Sequence, residues 1–215
     1  MSRMITKTLI YGAGGFARET AWLMSSSIGQ TSPVAFIDDN PNRSETLMDL
    51  PVVSFEKAKQ DYSEFPICIA IATPNVKKLL ADKIKSNNLK LTHVVHSSVI
   101  THYSSTIGTG SIVCAGNLIM PDVAIGEHVH INLACTIGHD CEIGDYSTIS
   151  PGVHISGNVK IGKNVFIGTG VNIIQGTESN PIVIEDGTII GAGACITQST
   201  EKDGLYVGVP AKNKR

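Results

Sequence analysis

The chain has 215 residues, 42% of them hydrophobic, and a formal charge of −2 at pH 7, which allows one large or two small domains with a real core and lacks the basic excess that a nucleic-acid backbone demands. Nucleic acid is therefore not expected as a partner. Five cysteines, odd in number and without C-x-x-C spacing, argue against a disulfide framework or a zinc ribbon, and the absence of an apolar leader or a run of membrane-spanning length predicts a soluble cytoplasmic protein with no membrane insertion.

In chain order, Thr8 to Tyr11 reads as a buried strand, followed by the G-x-G-x-x-A turn Gly12-Ala13-Gly14-Gly15-Phe16-Ala17 and a helical stretch to about Ser27. A second strand over Val34 to Ile37 ends in Asp38-Asp39, about twenty residues on, where such folds place a carboxylate for a ribose hydroxyl. A third strand, Ile67 to Ile71, precedes Thr73-Pro74 and a helix from about Asn75 to Ser86, and Leu91 to Val95 reads as a fourth. This alternation predicts an α/β, Rossmann-like domain over residues 1–95. Glycines in the turn let backbone approach a phosphate, and the helix N-terminus offers it free N–H groups. A ligand-free structural turn is the competing reading. Phe16 and Trp22 are expected to pack this domain, although Phe16, in the turn, is also placed to stack on a base.

Over residues 96–215 the pattern changes. Stepping by six from Ile107 meets Val113, Ile119, Ile125, Ile131, Ile137, Ile143, Ile149, Ile155, Ile161, Ile167 and Ile173 without a slip. Four residues after each comes a second column that is nearly all small or β-branched, from Ser111 and Asn117 to Val171 and Thr177. Both columns should point inward. A period of six suits neither an α-helical face nor a simple alternating strand, but it suits a short strand plus a turn, three of which close a triangular coil of about eighteen residues. The second domain is thus predicted to be an all-β parallel β-helix built of hexapeptide repeats. Glycine follows the aliphatic position at Gly108, Gly126, Gly138, Gly144, Gly162 and Gly168, where a tight corner tolerates no bulky side chain. After Ile173 the register breaks and resumes at Ile184, Ile190 and Ile196, so a protruding loop is expected near Gln175 to Val183. The N-terminal domain and the tail Gly204 to Arg215 are expected to cover the open ends.

With residues eighteen apart in one column, His130, His139 and His154 fall on different faces, so no three histidines meet within a chain. This argues against a carbonic-anhydrase-type zinc site and no metal is expected, with ligands shared across a subunit interface as the open alternative. His139 differs from the others because it stands at an outward corner position directly before Asp140. An imidazole can accept a proton at neutral pH, and a carboxylate on its other nitrogen fixes its tautomer. The alternative is a plain surface histidine. Cys135 and Cys141 occupy the inward column as core fillers.

The chain resembles, over essentially its whole length, the sugar acyltransferases grouped with sialic acid O-acetyltransferases (NeuD) and bacillosamine-pathway N-acetyltransferases (PglD). The resemblance rests on Tyr11-Gly12-Ala13-Gly14-Gly15, Asp38-Asp39, Met120-Pro121, Ile137-Gly138-His139-Asp140-Cys141, Gly157-Asn158-Val159-Lys160-Ile161-Gly162 and Val207-Gly208-Val209-Pro210-Ala211-Lys212. It implies a left-handed β-helix, a homotrimer, acetyl-CoA as co-substrate in the groove between neighbouring helices, and His139 as general base supported by Asp140. It also implies acetyl-CoA contacts at Thr148, Thr169 and Ala192, and nucleotide-sugar contacts at Gly14, Gly15, Phe16, Asp38, Asp39 and Ala72. Amino-sugar members carry histidine where this chain has Thr148 and Phe16, and His130, eighteen residues before Thr148, is expected to replace the first of these in part.

The function expected on this footing is acetyl-CoA-dependent N-acetylation of a nucleotide-linked 4-amino-4,6-dideoxy sugar by direct transfer. O-acetylation of a sialic acid-type sugar is the nearest rival. A non-catalytic nucleotide-binding trimeric scaffold and a metal-dependent hydratase of similar shape are the readings from other classes.

Overall fold

The computed structural model describes residues 6–27 and 31–215. Its first part is a five-stranded sheet in the order β3-β4-β2-β1-β5, formed by β1 (Thr6–Tyr11), β2 (Thr31–Ile37), β3 (Thr46–Leu47), β4 (Leu50–Val53) and β5 (Ile67–Ile69). Strands β4, β2, β1 and β5 are parallel, and β3 closes an antiparallel hairpin on β4. Leu9, Ile10 and Tyr11 are buried in succession, as befits a strand covered on both faces. Helices α1 (Gly15–Ser26), α2 (Phe55–Asp61) and α3 (Pro74–Ser86) complete the layer. Ser54 caps α2 by accepting the Lys57 N–H at 3.2 Å, and α3 starts with proline, which lacks the N–H that would go unpaired there.

Three elements of this first part were not foreseen: β3, β4 and α2. The hairpin turns at Met48 and Asp49, both at positive φ, without the Asn-Gly or Asp-Gly pair that usually marks such a turn. The expected strand Leu91 to Val95 is divided. Leu91 forms an isolated parallel bridge to Ile67, whereas Val94–Val95, β6, pairs with Ile112–Val113 in the second part of the chain. Trp22, expected in the core, is 55% exposed on α1.

The second part is a parallel β-helix with three faces. Face one carries β6 and the strands at Ile112, His130, Thr148, Phe166 and Ile189. Face two carries those at Ile100, Leu118, Thr136, His154, Asn172 and Cys195. Face three carries those at Thr106, Ala124, Glu142, Val159 and Ile182. Partners such as His130 and Thr148, or Ile131 and Ile149, stand eighteen residues apart, so each coil is three hexads. The isoleucine column from Ile119 to Ile196 is buried, each side chain contributing roughly 1.5–3 kcal/mol relative to exposure.

Polar members of the small column are satisfied by the next coil. Ser147 Oγ donates to Gly162 O at 2.9 Å and accepts Val165 N–H at 3.0 Å, and the Asn117 amide bridges Asn132 O and Cys135 N–H in the same way. The corner glycines are required by close approach: a Cβ on Gly138 would enter the backbone of Ser156 and Gly157 one coil on. Thr177 departs from its column, because it opens the expected loop, where it pairs with Asn180 and is exposed.

The tail closes one end: Leu205–Val207 continues face one and Lys212–Asn213 folds back antiparallel on it. The N-terminal domain lies along face one rather than across the other end. There it buries His130 and Thr148, while Ile100 and Tyr103 in the first coil stay exposed.

Candidate active site

His139 sits in the corner between faces two and three, just after the strand Thr136–Ile137. Asp140 next to it adopts φ +57°, which turns its carboxylate back so that Oδ2 accepts the His139 Nδ1–H at 2.6 Å. That bond places the ring proton on Nδ1 and leaves Nε2 with a lone pair. The ring lies over Gly157, where a Cβ would stand 2.6 Å from Nε2. Gly157 is thus the seat of the imidazole, held in register by the bond from Asn158 N–H to His139 O at 2.9 Å. About half of each side chain remains exposed, so the dyad is open to a substrate.

The glycine turn builds a second concavity. Gly14, Gly15, Phe16 and Asp38, with Tyr11, Gly12 and Ala70, line a cavity of about 330 Å³ beyond the ends of β1, β2 and β5. Gly14 is the N-cap of α1 and makes no side-chain cap bond, so the first-turn N–H groups are available to an anion. Gly12, at φ +119° and with Ala70 O only 3.0 Å from where a Cβ would stand, strains against any side chain.

Asp38 and Asp39 divide their work. Asp38 lines the cavity and accepts the Asn40 N–H at 2.9 Å. The Asp39 carboxylate accepts Phe55 N–H at 2.8 Å, Tyr11 Oη–H at 2.6 Å and Lys83 Nζ–H at 2.7 Å. Burial would raise its pKa, but these three donors together hold it below the usual carboxylate range.

The remaining expected residues are spread over two other places. Ala72 and Thr148 meet where the domains touch: Thr148 Oγ1 donates to Ala72 O at 2.8 Å and is buried. Thr169 and Ala192 are exposed on successive coils at the corner between faces one and two, joined by Gly193 N–H to Thr169 O at 2.8 Å. His130 is fully buried beneath Phe16, with ring centroids 5.1 Å apart. Because the N-terminal domain covers it, His130 reaches no open groove in this arrangement, and the expected substitution for a histidine at Thr148 is not supported. Cys141 is buried and donates to Ser156 O at 3.2 Å, and burial pushes its thiol pKa up, the signature of a core filler. Among the described residues, no three His, Cys, Asp or Glu side chains gather to hold a metal, and no helix is long and apolar enough to cross a membrane.

Two contributors escaped the sequence reading. Gly157 stands eighteen residues after His139, so the repeat itself marked it as the neighbour one coil on. Lys77 lies on the buried stripe of α3 with Ala81 and Ile84, a lysine at an apolar position of a helical pattern.

A glycine-turn α/β domain on a hexapeptide β-helix that displays a carboxylate-held histidine defines the class as a hexapeptide acyltransferase. Residues 7–84 match the PglD N-terminal domain, and residues 140–175 match the bacterial transferase hexapeptide (six repeats). A GDP-perosamine N-acetyltransferase of Escherichia coli O157:H7 is 30% identical over 210 residues, 93% of this chain and 81% of that protein. Among solved structures, WeeI from Acinetobacter baumannii AYE is 32% identical with a TM-score of 0.88, covering 97% of this chain and 100% of that one. The acetyltransferase domain of PglB from Neisseria gonorrhoeae FA1090, solved with acetyl coenzyme A, is 28% identical with a TM-score of 0.87, covering 98% of this chain and 100% of that one. The chain belongs to the NeuD/PglD family of sugar acetyltransferases, whose β-helices are left-handed.

Proposed function

We propose that this protein transfers the acetyl group of acetyl-CoA to the amine of a nucleotide-linked 4-amino-4,6-dideoxy sugar, with residues 1–95 holding the nucleotide-sugar, residues 96–215 performing the transfer, and β6 forming the seam. The observation that carries the reading is the His139–Asp140 dyad on Gly157, with Nδ1 engaged by the carboxylate and about half of each side chain exposed. His139 Nε2 takes a proton from the amine as its nitrogen attacks the thioester carbonyl. The tetrahedral adduct collapses by breaking the C–S bond, and the imidazolium returns the proton to the CoA thiolate. Asp140 holds the tautomer and steadies the imidazolium. No acyl-enzyme is needed, which agrees with the buried, inert thiols of Cys135 and Cys141.

The working form is a homotrimer. The glycine-turn cavity lies on the side of face one, where Phe16 meets His130, whereas His139 projects from the opposite corner. Thr169 and Ala192 occupy a third position, the corner between faces one and two. A base from one copy serving the acceptor and acetyl-CoA of another resolves this separation, and among the described residues the N-terminal domain leaves faces two and three free for such contacts. On this reading Thr169 and Ala192 flank acetyl-CoA, Gly14, Gly15, Phe16 and Asp38 hold the nucleotide, and Ala72, whose carbonyl the buried Thr148 holds, borders the acceptor side. The five free thiols and the two co-substrates fit the cytoplasm.

The relatives named for GDP-perosamine and for acetyl coenzyme A suggest the first substrates. CoA release is followed with GDP-perosamine, UDP- and dTDP-linked 4-amino-4,6-dideoxyhexoses and sialic acid. Release with an amino sugar that disappears in His139→Ala is expected. Release with sialic acid alone would make the protein an O-acetyltransferase, and release that survives in His139→Ala would remove the base from the mechanism.

A further inference from the structure

Lys77 is fully buried, and among the described residues no carboxylate pairs with it. Its Nζ donates to Ser147 O at 3.1 Å and to Thr148 Oγ1 at 2.9 Å, both on the β-helix, although Lys77 itself belongs to α3 of the first domain. Thr148 completes a chain of bonds by donating its own hydroxyl to Ala72 O. Ala72 follows Ala70 and Ile71, which wall the glycine-turn cavity, and Lys77 lies one helical turn beyond Thr73, whose carbonyl accepts the Lys77 N–H. The loop between β5 and α3 is therefore tied to the β-helix at both ends, by Thr148 at Ala72 and by Lys77 just inside α3.

An apolar residue would fill this space at lower cost, since a buried amine is retained only where it finds acceptors. The groups that face it across the interface are His128 and His130, both basic and both buried. Burial pushes the Lys77 pKa down to about 7, toward the free amine, whose two N–H donors match the two acceptors present.

We propose that Lys77 is a positioning residue of the transfer reaction: with Thr148 it latches the acceptor-side loop at Ala72 to the β-helix, fixing where the sugar is presented. The latch rests on the function given above, and its action is on acceptor binding and geometry rather than on bond making. The test is hydrogen exchange of the segment 70–77 in the unliganded protein, together with Michaelis parameters for GDP-perosamine and acetyl-CoA, in Lys77→Met, Thr148→Val and the double variant.

Loss of the latch speeds exchange over 70–77 and raises the KM for GDP-perosamine about tenfold, the effect of losing one or two hydrogen bonds, while the KM for acetyl-CoA moves less than twofold. The double variant is no worse than the worse single one, because both break one chain of bonds. Should Lys77→Met fail to fold, Thr148→Val, which removes only the hydroxyl, makes the same comparison. Unchanged exchange in an active protein overturns the latch, and equal rises in both KM values reduce Lys77 to a structural residue. A wild-type protein inactive with every acceptor overturns the functional reading instead, which the exchange measurement does not depend on.

Discussion

At the scale of single residues, the site depends on a hydrogen atom where a side chain would otherwise stand. Gly157→Ala puts a methyl group 2.6 Å from His139 Nε2, so the imidazole must swing away from its bond to Asp140. We expect turnover to fall by about a hundredfold, the scale set by a misplaced catalytic group, with Tm little changed; a circular-dichroism melt beside the CoA-release assay reads both. A second expectation concerns the buried bases of the interface. Burial pushes His128 down to about 4 and His130 well below its usual range, so both stay neutral when folded while their unfolded counterparts protonate below about pH 6.5. The folded state binds fewer protons, and stability therefore falls as pH drops from about 6.5 toward 4. Lys77 adds a loss of the same sign between its unfolded value of 10.5 and about 7. Replacing His130 by Phe, which keeps the contact with Phe16 and removes the ionisable ring, should flatten the acid limb of a Tm-versus-pH curve by roughly 3–6 °C.

At the scale of elements, the repeat makes stability local. Each coil touches its neighbours alone, so a core residue matters in proportion to how completely its own coil is enclosed. Ile149 in the middle of face one is fully buried, whereas Ile107 near the open end is only partly so. Ile149→Ala should cost about 3–4 kcal/mol and Ile107→Ala about half of that, measured as denaturant midpoints at constant slope. The elements that the sequence displayed are those with a clear apolar run, a turn signal or a strong period: β1, β2, β5, α1, α3 and the coils from Ile107 onward. Those it concealed are short. The strands β3 and β4 span two and four residues and α2 seven, too few for a pattern to emerge from composition. The run from Leu91 to Val95 misled because its two halves serve different sheets.

At the scale of the whole molecule, the separation of the glycine-turn cavity from His139 becomes a prediction about assembly. Gly15→Glu places a carboxylate at the start of α1, where a phosphate would bind, and a Cβ there meets nothing within 4 Å, so the fold should tolerate it. If base and acceptor site come from different copies, a 1:1 mixture of Gly15→Glu and His139→Ala chains, reassembled together, should regain about a quarter of wild-type activity, whereas each alone is inactive. A mixture as inactive as its parts would place the whole site within one chain. Sedimentation of the wild type should give a trimer.

The sequence by itself determined the β-helix, its inward columns, its corner glycines, the loop at Gln175 to Val183 and the adjacency of His139 and Asp140. It could do so because in a repeat every contact recurs at a fixed spacing, and even the seat at Gly157 follows from that spacing. Only the tertiary structure decided which face the first domain covers. That docking buries Thr148 and His130, recruits Lys77 and ties up Ala72, and it leaves the dyad on the far corner. Asp39 likewise looked equivalent to Asp38 until Lys83, Tyr11 and Phe55 were seen to share its carboxylate. Two surfaces that meet once have no period to announce them, and their chemistry depends on distances that no spacing along the chain encodes.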